Sequence, residues 1–489
     1  MIAEEIKLSP SARAEKFKLE NYTFKNQTSA TNNVPVDEAS ESYSKATFTK
    51  RHHFTLAMTF LLLMGGAFSV YLLQPQFEEM NMSRMDTLGG MILLGVGIFL
   101  LLFRLGFLAY IASLFFRYKP VSSVSDKELP TCTVIVPAYN EGRLVYDTLI
   151  SLTNSLYPAE KLQLLAIDDG SKDDTWEWMK KAKEELGDRV VILQQPNNQG
   201  KRHALYRGFN LGTGEVFVTV DSDSIVEKDT LRNLVSPFIT NENCGAVAGN
   251  VRVLNNEKAI IPRMLNVSFV FSFEFIRSAQ SVLGSVLCTP GALAAYSSKA
   301  VMNCLPEWIN QTFMGQPTDI GEDRAMTNMI LKQGYHVLFQ RNAYVLTNIP
   351  EKFSSLHKMF TRWERSNVRE NLMMSRFAFK PFREGSKSGT RLLLVNQWMG
   401  MITAYPVLLI MFFLLVTQPI LFISSTLLSI LIFSTLPAFF YAKKYNISEA
   451  FWAYSYSIFY TFGLFWITPY AMATANRRGW LTRGLAEKK

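Results

Sequence analysis

The chain has 489 residues, room for more than one folded unit; 48% of them are hydrophobic, 13% aromatic and only 19% charged, where soluble domains run nearer ~25% charged. Its formal net charge of +9 comes with no zinc-finger spacing, basic helical stripe or aromatic RNA-binding signature, so nucleic acid is excluded as a partner, and basic flanks beside apolar segments account for the excess. The four cysteines, at 132, 244, 288 and 304, form no C-x-x-C pair and no cluster with histidine; a zinc centre is excluded and packed, reduced thiols are expected.

Residues 1–50 are rich in Ser, Thr, Asn, Glu and Lys without apolar periodicity and read as a disordered polar tail. Residues 51–118 then carry two apolar runs, Phe54 to Leu73 and Gly89 to Phe116, the second interrupted only by Arg104. Each is long enough to span a bilayer as a helix. The intervening loop holds Glu78, Glu79 and Asp86 against Arg84, whereas the outer flanks hold Lys50, Arg51, Arg117 and Lys119. That asymmetry predicts a loop outside and flanks in the cytoplasm. Across 128–352 the composition becomes that of a soluble α/β domain. Short runs at Thr131 to Val136, Leu162 to Ile167, Val190 to Leu193 and Val216 to Val220 alternate with helical stretches, as in βαβ units around a buried parallel sheet. Residues 353–390 mix Lys, Arg, Phe, Trp and Met and predict amphipathic helices on the membrane face. Apolar runs return over 391–475, at Met399 to Val416, Pro419 to Tyr441 and Ala450 to Thr474, before a basic tail over 476–489. Three full crossings would leave that tail outside, against its charge. Gly463 and Pro469 mark the last run as the best candidate for a broken or re-entrant helix.

The chemistry-bearing residues cluster where strands end. Tyr139-Asn140-Glu141, Asp168-Asp169-Gly170 and Asp221-Ser222-Asp223 each follow an apolar strand, and ligands of open α/β sheets bind beyond the carboxyl ends of the strands. Two carboxylates at i and i+2, Asp221 and Asp223, can share the work, one toward a ribose and one toward a divalent cation that neutralises a diphosphate. An isolated D-x-D is equally the mark of a solvated turn. Gly321-Glu322-Asp323-Arg324 offers a carboxylate base in Asp323; Glu322 is equally suited to a helix N-terminus. Arg362-Trp363 provides a cation for a diphosphate and an aromatic face for a sugar ring, or else an interfacial anchor.

Together these segments resemble the processive family-2 glycosyltransferases, which include hyaluronan synthases, rhizobial chitin-oligosaccharide synthases and cellulose synthases. The resemblance runs from about Phe54 to Arg483. It implies an α/β domain of GT-A type, nucleotide-binding with a mostly parallel sheet, inserted between N- and C-terminal transmembrane helices of a multi-pass cell-membrane protein (plasma or inner membrane), with catalysis on the cytoplasmic side. Pro137-Ala138-Tyr139-Asn140-Glu141 looks like the family's opening nucleotide motif, contributing Ala138, Tyr139 and Glu141. Asp169 matches the acidic pair near uracil and ribose, and Gly200-Lys201-Arg202-His203-Ala204 the segment whose basic side chains face the nucleotide. The D-x-D falls on Asp221 and Asp223 and implies Mg²⁺ or Mn²⁺; the base falls on Asp323. Cys288-Thr289-Pro290-Gly291 sits where the family lines its acceptor pocket, giving Pro290 and Gly291 to the acceptor beside Trp363. Gly321 to Arg324 followed by Thr327-Asn328, and Trp480-Leu481-Thr482-Arg483, favour the hyaluronan and chitin types. Trp480 and Arg483 would close over the nucleotide and Arg362 would meet its diphosphate.

Two positions depart from the pattern. Met359 stands where the family's Q-x-x-R-W motif has glutamine, and Leu481 replaces a glycine of the W-G-T-R loop. The expected partners are a UDP-sugar donor, a growing polysaccharide and the lipid bilayer. Two rivals stand beside this reading: a membrane enzyme that moves a single sugar to a lipid acceptor, and a catalytically idle membrane scaffold or transporter that kept the fold. The first needs neither Arg362-Trp363 nor the Trp480 to Arg483 segment, and the second needs no intact Asp221, Asp223 and Asp323.

Overall fold

The structure, a computed structural model, describes residues 49–477. The expected closing residues Trp480 and Arg483, and most of the N-terminal tail, lie outside the described residues. The strands are β1 (Cys132–Ala138), β2 (Leu162–Asp168), β3 (Val190–Gln194), β4 (Val216–Val220), β5 (Ser224–Val226), β6 (Cys244–Val253), β7 (Leu293–Ser297), β8 (Thr312–Phe313), β9 (Gln316–Pro317) and β10 (His336–Thr347). Eight of them form one sheet in the order β3-β2-β1-β4-β7-β6-β10-β5, and β8 pairs with β9 in a separate ribbon. β3, β2, β1 and β4 are parallel neighbours, as expected, while β7 runs antiparallel to both β4 and β6. β1 and β2 are buried along their whole length. Side chains of β1, β2 and β4 alternate between two cores: Val134, Val136, Leu164 and Val218 on one face, Ile135, Ile167 and Phe217 on the other. Period-two burial on both faces is what near-continuous apolar runs encode.

Among the described residues four helices are long and apolar enough to cross a membrane: Lys50–Leu72, Leu88–Arg117, Ser388–Thr417 and Pro419–Lys444. The first two match the expected spans, and the stretch between them is itself a helix, Gln74–Met85. The third C-terminal run breaks where Gly463 and Pro469 stand: Trp452–Phe459, a π-helical turn Tyr460–Leu464, then Ile467–Ala473. Two of these helices precede the sheet domain and two follow it, so four crossings would return the chain after Lys444 to the side of the sheet domain.

The 353–390 stretch holds one long helix, Phe353–Ala378, and the start of Ser388–Thr417. The former packs on Glu322–Lys332 and on Ile467–Ala473 and buries Leu356, Arg365, Arg369, Glu370 and Met374, among others. Its polar face is therefore walled by protein. A buried ionic cluster ties the sheet to the membrane helices. Glu274, on the π-helical turn Phe271–Ile276, accepts from Arg252 of β6, from Lys444 at the end of Pro419–Lys444, and from Tyr445 at 2.7 Å. A fully buried carboxylate held by two cations resists displacement, because removing either partner strands a charge.

Candidate active site

β1, β2 and β4 end side by side, so Ala138, Asp168 and Val220 bring their following loops to one edge. There Asp169 donates its N–H to the Ala138 carbonyl at 2.8 Å. Its carboxylate accepts from Gln195 Nε2 at 2.8 Å, Gln199 N–H at 2.9 Å and Gly200 N–H at 2.7 Å. Burial raises its pKa to about 6. Asp169 thus clamps the turn that launches helix Lys201–Leu211. Gly170 permits this close approach: its φ is +70°, and a Cβ would lie 2.7 Å from the Asn197 backbone. Tyr139 lines the cavity described below; Glu141 does not, and its backbone N–H is used on Thr175 Oγ1 at 2.8 Å.

The antiparallel β7 completes this edge. Leu293 pairs with Val220, so Pro290 and Gly291, just before β7, meet the carboxyl end of β4 and its Asp221. A Cβ on Gly291 would lie 2.5 Å from Lys201 Nζ and 3.7 Å from both Asp221 carboxylate oxygens. Lys201 pairs with Asp221 and sits 3.3 Å from Glu322 Oε1. Burial alone would lower its pKa, but the Asp221 and Glu322 carboxylates outweigh burial and hold the ammonium above its ordinary range. Asp223 accepts from Thr347 Oγ1 at 3.3 Å because β5 pairs with β10.

Arg202 departs from expectation. Its side chain points into the core, donating to the Trp308 carbonyl at 2.6 Å and Gln311 Oε1 at 3.1 Å. On a helix, consecutive residues face different sides; Lys201 takes the cavity side and Arg202 stacks over Trp308 at 5.0 Å.

Asp323 lies in the first turn of Glu322–Lys332. Its carboxylate accepts from Arg324 N–H at 2.7 Å and Gly291 N–H at 3.3 Å, with Cys288 Sγ at 3.8 Å. Burial, then the neighbouring Glu322 charge, raise its pKa against the opposing Lys201 and Arg362. A carboxylate so placed is a stronger proton acceptor than a solvated one. Burial likewise pushes the Cys288 thiol up to about 12.

One cavity of about 900 Å³ joins these parts. Ala138, Tyr139, Asp169, Lys201, Asp221 and Asp223 line its sheet end, and Pro290, Gly291, Asp323, Arg362 and Trp363 line its middle. Met359, at the position of the missing glutamine, is also in the wall. The cavity continues to Gln397 on a membrane helix and to Tyr456, Tyr460 and Thr468 on the broken C-terminal segment. Sequence reading missed that far end, and it missed Phe273, Arg277 and Gln280, which also line it. The available signal was Glu274, Arg277 and Gln280 interleaved with the aromatic and aliphatic residues of Phe271 to Val282. Burial lowers the Arg277 pKa to about 10, and its guanidinium lies 3.6 Å from the Phe273 ring centroid.

Among the described residues no three His, Cys, Asp or Glu side chains converge as a metal cage. Asp221 and Asp223 offer hard oxygen ligands on an open wall. That suits Mg²⁺ or Mn²⁺ completing its shell with substrate phosphates and water, the usual habit of Mg²⁺ at phosphate sites.

Residues 130–366 match the family described as Glycosyltransferase like family 2 and constitute a glycosyltransferase family 2 domain with the GT-A-like, mostly parallel sheet. The chain is similar to an N-acetylglucosaminyltransferase of Azorhizobium caulinodans, 29% identical over 277 residues that cover 55% of this chain and 69% of that one. It is also 30% identical to an N-acetylglucosaminyltransferase of Rhizobium meliloti over 51% of this chain and 58% of that one. A hyaluronan synthase of Streptococcus pyogenes is 30% identical over 49% of this chain and 57% of that one. The alignments with these last two thus span less than two thirds of the relatives. In fold the chain is similar to a mannosyltransferase of Pyrobaculum calidifontis solved with GDP-Man and Mn²⁺ (TM-score 0.51, 19% identity, 78% of this chain and 96% of that one).

Proposed function

We propose that this protein is a membrane-embedded, processive, inverting glycosyltransferase. It polymerises sugars from UDP-sugar donors into a hyaluronan- or chitin-like polysaccharide and exports the chain across the cell membrane, with catalysis on the cytoplasmic side. The carrying observation is the continuity of one cavity from Asp221 and Asp223, past Asp323 and Trp363, to Gln397, Tyr456 and Tyr460 beside the membrane helices. A single transfer to a lipid headgroup needs the first half of that cavity; a growing polymer needs all of it. The names of the similar proteins support N-acetylglucosamine as a sugar and hyaluronan as one candidate product.

The donor nucleotide lies against Ala138, Tyr139 and Lys201 at the strand ends, with Asp221 toward the ribose. Asp221 and Asp223 hold Mg²⁺ or Mn²⁺, which when bound offsets charge on the departing diphosphate. Asp323 takes the proton of the acceptor hydroxyl. That oxygen bonds to the anomeric carbon while the carbon–phosphate oxygen bond breaks, and the nucleoside diphosphate leaves with the electron pair toward Arg362. Trp363 and the Pro290-Gly291 turn hold the acceptor ring. Attack opposite the leaving group inverts the anomeric centre.

Purified full-length protein in detergent, supplied with individual UDP-sugars and Mg²⁺ or Mn²⁺, tests this directly by product size. UDP-N-acetylglucosamine alone should yield a chitin-like ladder, or only its mixture with UDP-glucuronate a hyaluronan-like polymer. A product extended by one sugar on a lipid would refute polymerisation.

A further inference from the structure

Lys201 is set in the middle of the carboxylates that the proposed reaction uses. Its ammonium pairs with Asp221 and lies 3.3 Å from Glu322, and Asp323 also acts on it electrostatically. The side chain is 12% exposed, against 32% for Asp221. The backbone that carries it is fixed: Asp169 accepts from Gly200 N–H at 2.7 Å, and Gly291 leaves room for the ammonium that any Cβ would take. The stem is therefore anchored while its charged end occupies the carboxylate that a divalent cation would claim. Two cations cannot both neutralise one Asp221 oxygen without strong mutual repulsion.

We propose that Lys201 is a built-in counter-ion of the D-x-D site, which holds Asp221 in the nucleotide-free protein and makes cation binding depend on the nucleotide. This rests on the reading of Asp221 and Asp223 as cation ligands. Without nucleotide, a divalent ion has to displace an ammonium whose remaining anionic neighbours are the protein's own Glu322 and Asp323. A diphosphate in the cavity supplies a second anion for the ammonium and further oxygen ligands for the metal, so the two ligands bind cooperatively. Free divalent cation alone leaves the site closed, which keeps it from holding water-bound metal beside the base.

The test is Mn²⁺ binding by full-length protein in detergent, read from the electron paramagnetic resonance signal of free Mn²⁺, with and without UDP. The wild type should bind Mn²⁺ about tenfold or more tightly with UDP than without it, the scale expected when one adjacent charge is relieved. Lys201→Met should bind Mn²⁺ without UDP about tenfold more tightly than the wild type, and Lys201→Arg should behave as the wild type. Lys201→Met that binds Mn²⁺ no more tightly without UDP overturns the proposal. So does a wild type with equal affinity in both conditions, a result that stands even if the variant fails to fold. The underlying metal assignment fails separately: Asp223→Asn that binds Mn²⁺ with UDP as well as the wild type removes the ligand reading itself.

Discussion

Replacing Asp323 by asparagine isolates proton transfer from everything else in the cavity. Asparagine can keep the acceptor oxygen that receives Arg324 N–H at 2.7 Å, but its NH₂ then faces the Gly291 N–H, now a donor at 3.3 Å. That local mismatch costs on the order of 1–3 kcal/mol, borne at one point of the wall. Asp221 and Asp223 keep their carboxylates and Lys201 keeps its pair with Asp221, so UDP affinity should stay near wild type. The chemical step loses its base, which typically costs ~10²–10⁴-fold, or about 2.7–5.4 kcal/mol of barrier. Initial rates of UDP release, paired with calorimetric UDP binding, separate the two effects. A variant with more than about a tenth of wild-type turnover would refute Asp323 as the base, given that expected loss. A variant that also loses UDP binding would show that the carboxylate serves the nucleotide.

The acid limb of kcat/KM should lie above the ordinary carboxylate range, because burial and then Glu322 raise the Asp323 pKa and only its ionised form accepts a proton. Activity is thus lost as pH falls through that raised value, and Glu322→Gln should move the limb to lower pH; a limb that stays in place would contradict the coupling. Arg202→Met, which removes bonds to the Trp308 carbonyl and Gln311, should lower the thermal midpoint in detergent by an amount equivalent to about 1–3 kcal/mol while leaving donor KM unchanged. A raised KM with unchanged stability would return Arg202 to the nucleotide. In a background without the four native cysteines, Glu79→Cys should react with an impermeant thiol reagent in intact cells, and Glu487→Cys only after the membrane is opened. Labelling of the second from outside would invert the proposed orientation.

Much of this molecule could be read from local signals. Chain-long apolar runs identified Lys50–Leu72 and Leu88–Arg117, because a membrane span needs only length and hydropathy. β1, β2 and β4 were legible because strands buried on both faces are written as continuous β-branched and apolar runs, and their acidic ends followed at once. The order of β7, β6 and β10 was not legible, since pairing between distant segments leaves no local trace; yet β7 is what sets Pro290 and Gly291 against Asp221. Nor could the sequence tell Lys201 from Arg202, two adjacent cations that a helix turns to opposite duties. Composition alone predicts amphipathic helices over 353–390. Only the packing of Glu322–Lys332 and Ile467–Ala473 around Phe353–Ala378 made its polar residues part of a cavity wall. Residue type and periodicity determined which segments are apolar and which carboxylates end strands. Which of those carboxylates share one cavity was decided by contacts across hundreds of residues, and such contacts exist only once the chain has folded.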